Sequence, residues 1–183
     1  RIGDQDVVSA VLQSDMELLR KTSERLDRNE FRTAVDTLLK ARRIYVLGVR
    51  STAALANFFG YYMNFMFPDV HVVTASGAHE MFEKIVGVGP EDVVIAFSFP
   101  RYSTSTLAGA QYCTSVGAKV IGITNSKLSP LADSCDYVLV AKSDMVSLVD
   151  SLVAPLSVVN ALIVGVTKRR SVELARRLDA LEH

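Results

Sequence analysis

The chain has 183 residues, 49% of them apolar, enough to bury one substantial core as a single unit. Twenty Lys+Arg offset twenty Asp+Glu, so bulk charge gives no reason to grip nucleic acid or an anionic membrane, and any anion recognition has to be local. The two cysteines, Cys113 and Cys135, lie far apart without CxxC spacing, which favours free thiols in a reduced cytoplasmic setting over a disulfide framework.

The opening RIGDQDVVSA has no apolar h-region, so no signal peptide is expected, and the absence of an initial methionine points to a piece of something longer. From residue 6 to 40 apolar residues recur at helical spacing: Val7, Val8, Val11, Leu12, Leu18, Leu19 and Leu26, then Phe31, Val35, Leu38 and Leu39 after the polar break Asp27-Arg28-Asn29. Two helices are predicted there, ahead of any strand. Short β-branched runs then alternate with helical segments: RIYVLG (43–48), HVVTA (71–75), DVVIAFS (92–98), KVIGIT (119–124) and DYVLVA (136–141). Five such strands predict a parallel sheet covered on both faces, a three-layer α-β-α sandwich of flavodoxin-like order 2-1-3-4-5.

Of the intervening segments, 51–66 is apolar almost all round, 76–86 is shorter, 104–116 is small and amphipathic, and SPLADSC (129–135) allows only a turn or two. A final helix or pair of helices is predicted from about residue 146 to 181. Its apolar part, 148–166, approaches the length of a membrane span but contains Asp150, Pro155 and Asn160, so a core or subunit-interface helix fits better. A helix apolar on every side, such as 51–66, needs cover beyond one sheet face, which predicts a homodimer or homotetramer. With no repeat or linker, the division is a helical extension, 1–40, followed by one domain, 41–183. The terminal LEH carries no functional weight.

Ligands of open parallel sheets sit beyond the carboxyl ends of the strands, where the winding reverses, here between the first and third strands. Two loops meet there, GVRST (48–52) and SFPRYSTST (98–106). Both run from a strand through a tight turn with a basic residue into hydroxyl side chains and the first turn of a helix. Unpaired amides and partial positive charge at a helix N-terminus favour an oxyanion such as a phosphate. Ser51 and Thr52 in the first loop, and Ser98, Ser103 and Thr106 in the second, add donors without formal charge. Gly48 permits close backbone approach, and Ser103 or Thr104 is placed as the N-cap. Four or five hydrogen bonds to a charged group, at about 1.5–3 kcal/mol each, reach micromolar affinity after association costs without a metal. Serines and threonines also cap helices in proteins of every kind, so it is the pairing of two such loops at the switch point that carries weight. Arg50 and Arg101 are candidates to touch the ligand or to form salt bridges. Neither loop is a Walker loop or GxGxxG, so no nucleotide is expected.

The segments RRIYVLGVRSTAALANFFGYYMNF, DVVIAFSFPRYSTST and GAKVIGITNSKLSPLADSCDYVLVA, with the late helical block, resemble the sugar isomerase (SIS) domain, from about residue 41 to 166. The phrases FSFPRYS and ITNSKLSPLA resemble more narrowly the effector domain of RpiR/MurR-type bacterial transcriptional regulators. The resemblance implies a phosphosugar held by the two hydroxyl loops. Ser51 matches the Ser/Thr of the family's first phosphate loop, and Ser98 and Ser103 match the opening serine and closing threonine of its SxSGxT loop. Pro100 stands at that loop's second serine, Arg101 at its glycine, and Arg50 at the second glycine of the first loop. The resemblance also implies a helix-turn-helix domain in the parent protein, with the helices before residue 41 as its connector, so that DNA is a partner only through that further domain.

An aldose–ketose isomerase needs a base and a proton shuttle near the reacting carbons. His79, Glu80 and Asp150 are the candidates. Glu80 also suits the first turn of a helix, His79 a polar contact to ligand or partner, and Asp150 a cap or a salt bridge, while contacts to the ring side of a sugar are expected from residues such as His79, Glu80, Asp150 and Ser151. The three histidines lack metal-ligand spacing, so neither metal nor other cofactor is expected. The expectation is a sensor without catalytic residues, in which ligand shifts the population of subunit arrangements. The alternatives are a phosphosugar isomerase and a dimerisation module without ligand.

Overall fold

In the computed structural model, which describes residues 6–146 and 149–182, the N-terminal segment forms two helices, α1 (Val7–Arg25) and α2 (Arg28–Leu39). The polar break between them is a cap: Asp27 accepts from the amides of Asn29 (2.9 Å) and Glu30 (3.1 Å), as Asp6 accepts from Ser9 (3.0 Å) before α1. Residues 1–5 of the opening peptide, Leu148 in the apolar stretch, and His183 of the terminal LEH lie outside the described residues.

The sheet follows: β1 (Ile44–Leu47), β2 (Val70–Val73), β3 (Val93–Phe97), β4 (Lys119–Thr124) and β5 (Tyr137–Val140), all parallel in the order 2-1-3-4-5. Its strands read as unbroken apolar runs because both faces are covered. Ile44, Val46, Val93, Ile95 and Phe97 point into one core with Ala34, Val35 and Leu38 of α2. The same core takes Leu55, Phe59 and Met63 of α3 (Ala53–Met66) and Val158, Val159 and Leu162 of α6 (Val153–Arg169). The alternate residues Tyr45, Leu47, Val94 and Ala96 face a second core, with Met81 and Ile85 of α4 (Ala78–Ile85) and Ala110 and Cys113 of α5 (Thr104–Ser115). The helices that follow β1 and β3 therefore leave toward opposite faces, and a crevice opens between those strands.

The N-terminal extension is built into this frame. Glu30 Oε1 accepts from the amide of Val138 on the edge strand β5 (3.1 Å), and Thr22 Oγ1 accepts from the amide of Lys142 (2.9 Å), so two edge donors are satisfied by α2 and α1. Cys113 and Cys135 are free, and burial pushes both thiols up to about 12.

One expectation is corrected. The late helix begins at Val153, not near residue 146; a two-residue hairpin, β6 (Met145–Val146) paired antiparallel with β7 (Val149–Asp150), precedes it. Pro155 explains the start: without an amide hydrogen it belongs in a first turn, where amides lack partners in any case. A short helix α7 (Ser171–Leu181) closes the chain. Among the described residues no helix is long and apolar enough to cross a membrane.

Candidate functional site

β1 delivers the chain into Gly48, where a Cβ would stand 2.7 Å from the Thr52 carbonyl oxygen and 3.1 Å from Ala56 Cβ. The turn therefore closes only over glycine. A single 3-10 turn, Arg50–Thr52, then feeds α3. Thr52 is buried and donates to the Val49 carbonyl from both its amide (3.2 Å) and its hydroxyl (2.7 Å), so its hydroxyl hydrogen holds the turn together.

β3 ends at Phe97, and Ser98 opens the second loop. Ser103 is the N-cap of α5, accepting from the Thr106 amide (3.4 Å), and its hydroxyl lies 2.8 Å from that of Ser105. The amides of Thr104 and Ser105 precede the first intrahelical bond, Leu107 N to Ser103 O (3.1 Å). Tyr102 anchors the loop to the end of β4 by donating to Asn125 Oδ1 (2.7 Å).

Between the loops lies a cavity of about 220 Å³, walled by Val49, Phe97, Phe99 and Pro100 and edged by Arg50, Ser51, Thr52, Ser98, Arg101, Ser103 and Asp150. Ser98 is 3% exposed, and its Oγ has no hydrogen-bond partner. A buried hydroxyl left unpaired beside a cavity forgoes its hydrogen bond unless a partner is supplied there. Thr106 Oγ1 is also buried and unpartnered, but Thr106 does not line the cavity.

The two loops are joined by their arginines. Arg50 Nη2 donates to the Arg101 carbonyl (2.9 Å), and Arg101 Nη2 donates to Asp150 Oδ2 (2.9 Å) and Oδ1 (3.1 Å). Arg50 (φ 54°) and Arg101 (φ 70°) are the two non-glycine residues with positive φ among the described residues. Left-handed backbone with a Cβ costs roughly 1–2 kcal/mol at each, so both loops hold strain where the cavity is.

Of the residues singled out in the sequence, Arg50, Ser51, Thr52, Ser98, Arg101 and Ser103 come together around this cavity. His79 and Glu80 do not line it. They sit in the first turn of α4, where the His79 side chain is 91% exposed and its Nε2 lies 3.1 Å from Glu83 Oε1, while Glu80 is exposed. β2 is the edge strand beyond β1, so the loop that leaves it starts one strand removed from the β1–β3 crevice. Asp150 completes the ring from a hairpin that helical periodicity could not show. Among the described residues no group of three or more His, Cys, Asp or Glu could hold a metal.

The sequence profile of the SIS domain family matches residues 37–165, more than two thirds of the chain. The chain belongs to the SIS domain family. This SIS domain is 32% identical to an uncharacterized HTH-type transcriptional regulator of Haemophilus influenzae over 124 residues, 67% of the chain and 42% of that protein. It spans less than half the length of the curated relatives it matches. Its fold is similar to the sugar isomerase domain of an RpiR transcription factor from Sphaerobacter thermophilus, with a TM-score of 0.92, 27% identity, and 97% of this chain and 99% of that one covered. A second similar structure is the Vibrio vulnificus NanR protein complexed with ManNAc-6P, with a TM-score of 0.82 over 98% of this chain and 68% of that one; at 18% identity it speaks for the fold alone. The left-handed φ values of Arg50 and Arg101 fall where the resemblance puts the glycines of the SIS phosphate loops. At both positions arginine adopts a backbone that glycine adopts without strain.

Proposed function

We propose that this SIS domain is the phosphosugar-sensing and oligomerising part of an RpiR-type transcriptional regulator. The phosphate is bound by Ser51, Ser98, Ser103 and the first-turn amides of α5, with Arg50 and Arg101 at the mouth and Thr52 and Thr106 holding the helix starts. His79 and Glu80 are assigned to a neighbouring ring or subunit contact. The observation that carries this reading is the Ser98 hydroxyl, buried and unpartnered in a residue that lines the cavity. Uncharged hydroxyls and amides can bind an oxyanion with little formal charge, which suits a chain whose charges sum to zero.

Residues 1–40 act as the connector and 41–183 as the sensor. DNA binding belongs to the longer protein, as the HTH-type name and greater length of the relatives suggest. Exposed Phe58, Tyr61 and Tyr62 on α3 support a homodimer or homotetramer, and the free thiols suit the cytoplasm. Sensing is favoured over isomerisation by the HTH-type transcriptional regulator names of the curated relatives.

The test is thermal unfolding with glucose 6-phosphate, ManNAc-6P and 6-phosphogluconate, alongside proton NMR of each mixture. A ligand at 100 times its Kd adds about 2.7 kcal/mol, or very roughly 5–10 °C for a chain of this size. One of the three is expected to raise the melting temperature with concentration and to remain chemically unchanged. No shift with any of them would favour a vestigial dimerisation module, and enzyme-dependent interconversion would favour the isomerase.

A further inference from the structure

Asp150 is out of place in a pocket for anions. Its carboxylate lines the same cavity as Ser98 and Ser103, its side chain is 28% exposed, and it is held by the Arg101 guanidinium across 49 residues of sequence. A phosphate entering that cavity meets a negative charge already there. The carboxylate and the phosphate also compete for the same guanidinium, whose fork can pair with two oxygens of either.

The residue after Asp150 is tied elsewhere. Ser151 Oγ donates to Asp15 Oδ1 (2.6 Å), and Asp15 belongs to α1; the Ser151 amide donates to the Asp144 carbonyl (3.2 Å), and its own carbonyl accepts from Ser143 Oγ (3.1 Å). One peptide bond therefore separates the anion that lines the cavity from one of the contacts that fasten the N-terminal helix.

We propose that Asp150 is a built-in counter-anion, holding Arg101 while the cavity is empty and displaced when phosphate enters, and that its displacement loosens the Ser151–Asp15 contact with α1. This rests on the phosphosugar reading above and adds how occupancy would be reported to the N-terminal helix. Ligand binding and helix docking then share one coupling free energy, and each weakens the other. The link is local: an ion pair, a peptide bond and a hydrogen bond.

The experiment uses the full chain with inorganic phosphate as the probe, since phosphate has no ring hydroxyls for Asp150 to accept from. Affinity is measured by calorimetry, and amide hydrogen exchange is followed in α1 around Asp15. In the unmodified chain, phosphate is expected to speed that exchange several-fold. Asp150→Asn is expected to bind phosphate about tenfold more tightly, with α1 exchange already fast and unresponsive. Ser151→Ala, which does not line the cavity, is expected to leave affinity within twofold and to abolish the response. Unchanged or weaker phosphate binding by Asp150→Asn, or a response that survives in Ser151→Ala, overturns the proposal and leaves the phosphosugar reading standing. Failure of phosphate and of phosphosugars to bind any of the three proteins sinks both.

Discussion

At the amino ends of β1 and β3 the carboxylate of Asp92 is fully buried and met by Arg42, Arg43 and the Gly89 amide, at 2.8–3.2 Å. At the carboxyl ends of the same strands the hydroxyl of Ser98 is almost as buried and met by nothing. One end spends its polar groups on itself, with ordinary backbone and complementary charge. The other leaves a donor open, holds two arginines in left-handed backbone and keeps a cavity between them. Such an end is less stable than it could be, and that is what a site for an external partner requires.

The contrast should break most visibly at Asp92. Asp92→Ala leaves two arginines facing an uncompensated site and is expected to lower stability by about 3 kcal/mol, read by urea unfolding. Ligand affinity should not change. Burial raises the pKa of Asp92, but the two guanidiniums and the amide outweigh it, and the carboxyl sits below its ordinary value of 3.8. The stabilisation is therefore complete above the unfolded-state pKa and is lost as pH falls through the lower folded value. Asp92→Asn should flatten that acid limb of the stability curve.

Ser98→Ala tests the opposite end. It removes a donor that satisfies nothing in the free protein, so unfolding in the absence of ligand should stay within about 0.5 kcal/mol of the unmodified chain. Phosphosugar affinity should fall about 10- to 100-fold, from the ~1.5–3 kcal/mol of a hydrogen bond to a charged group. A large loss of stability would mean that the hydroxyl has a structural task.

The smallest effects belong to Arg50. At φ 54° glycine relieves strain while the bond to the Arg101 carbonyl is lost, so Arg50→Gly should leave stability within about 1 kcal/mol. Arg50→Val puts a β-branched residue in the same backbone and should be less stable than the glycine variant by about 1–2 kcal/mol. Equal stabilities in chemical unfolding would show that the turn relaxes out of the left-handed region.

The sheet was legible because burial on both faces makes runs such as VVIAF unmistakable and their alternation with helices makes them parallel; the order 2-1-3-4-5 is the flavodoxin-like case, which alternation alone does not fix. The loops were legible because β1 and β3 flank the switch point and two hydroxyl-rich loops meet there, more than helix capping alone requires. The β6–β7 hairpin was not, since two-residue strands carry no periodicity and the apolar residues beyond them merged with α6. The Arg101–Asp150 pair was invisible for a related reason: its partners are 49 residues apart, and only the hairpin brings the carboxylate back to the cavity. His79 and Glu80 stood in the sequence as candidates for the sugar side of the site, but they follow an edge strand and do not line the cavity. Nothing in the letters showed that Arg50 and Arg101 adopt a glycine-like backbone; the glycines of the resembling loops were the available hint.

The most direct measurement is a crystal structure of the chain grown with the phosphosugar that stabilises it best. The expected result is a phosphate between the Ser51 turn and the Ser98–Ser103 loop, with an oxygen within 3 Å of Ser98 Oγ. A sugar phosphate bound elsewhere, with Ser98 still unpaired, would contradict the assignment of this crevice as the sensing site.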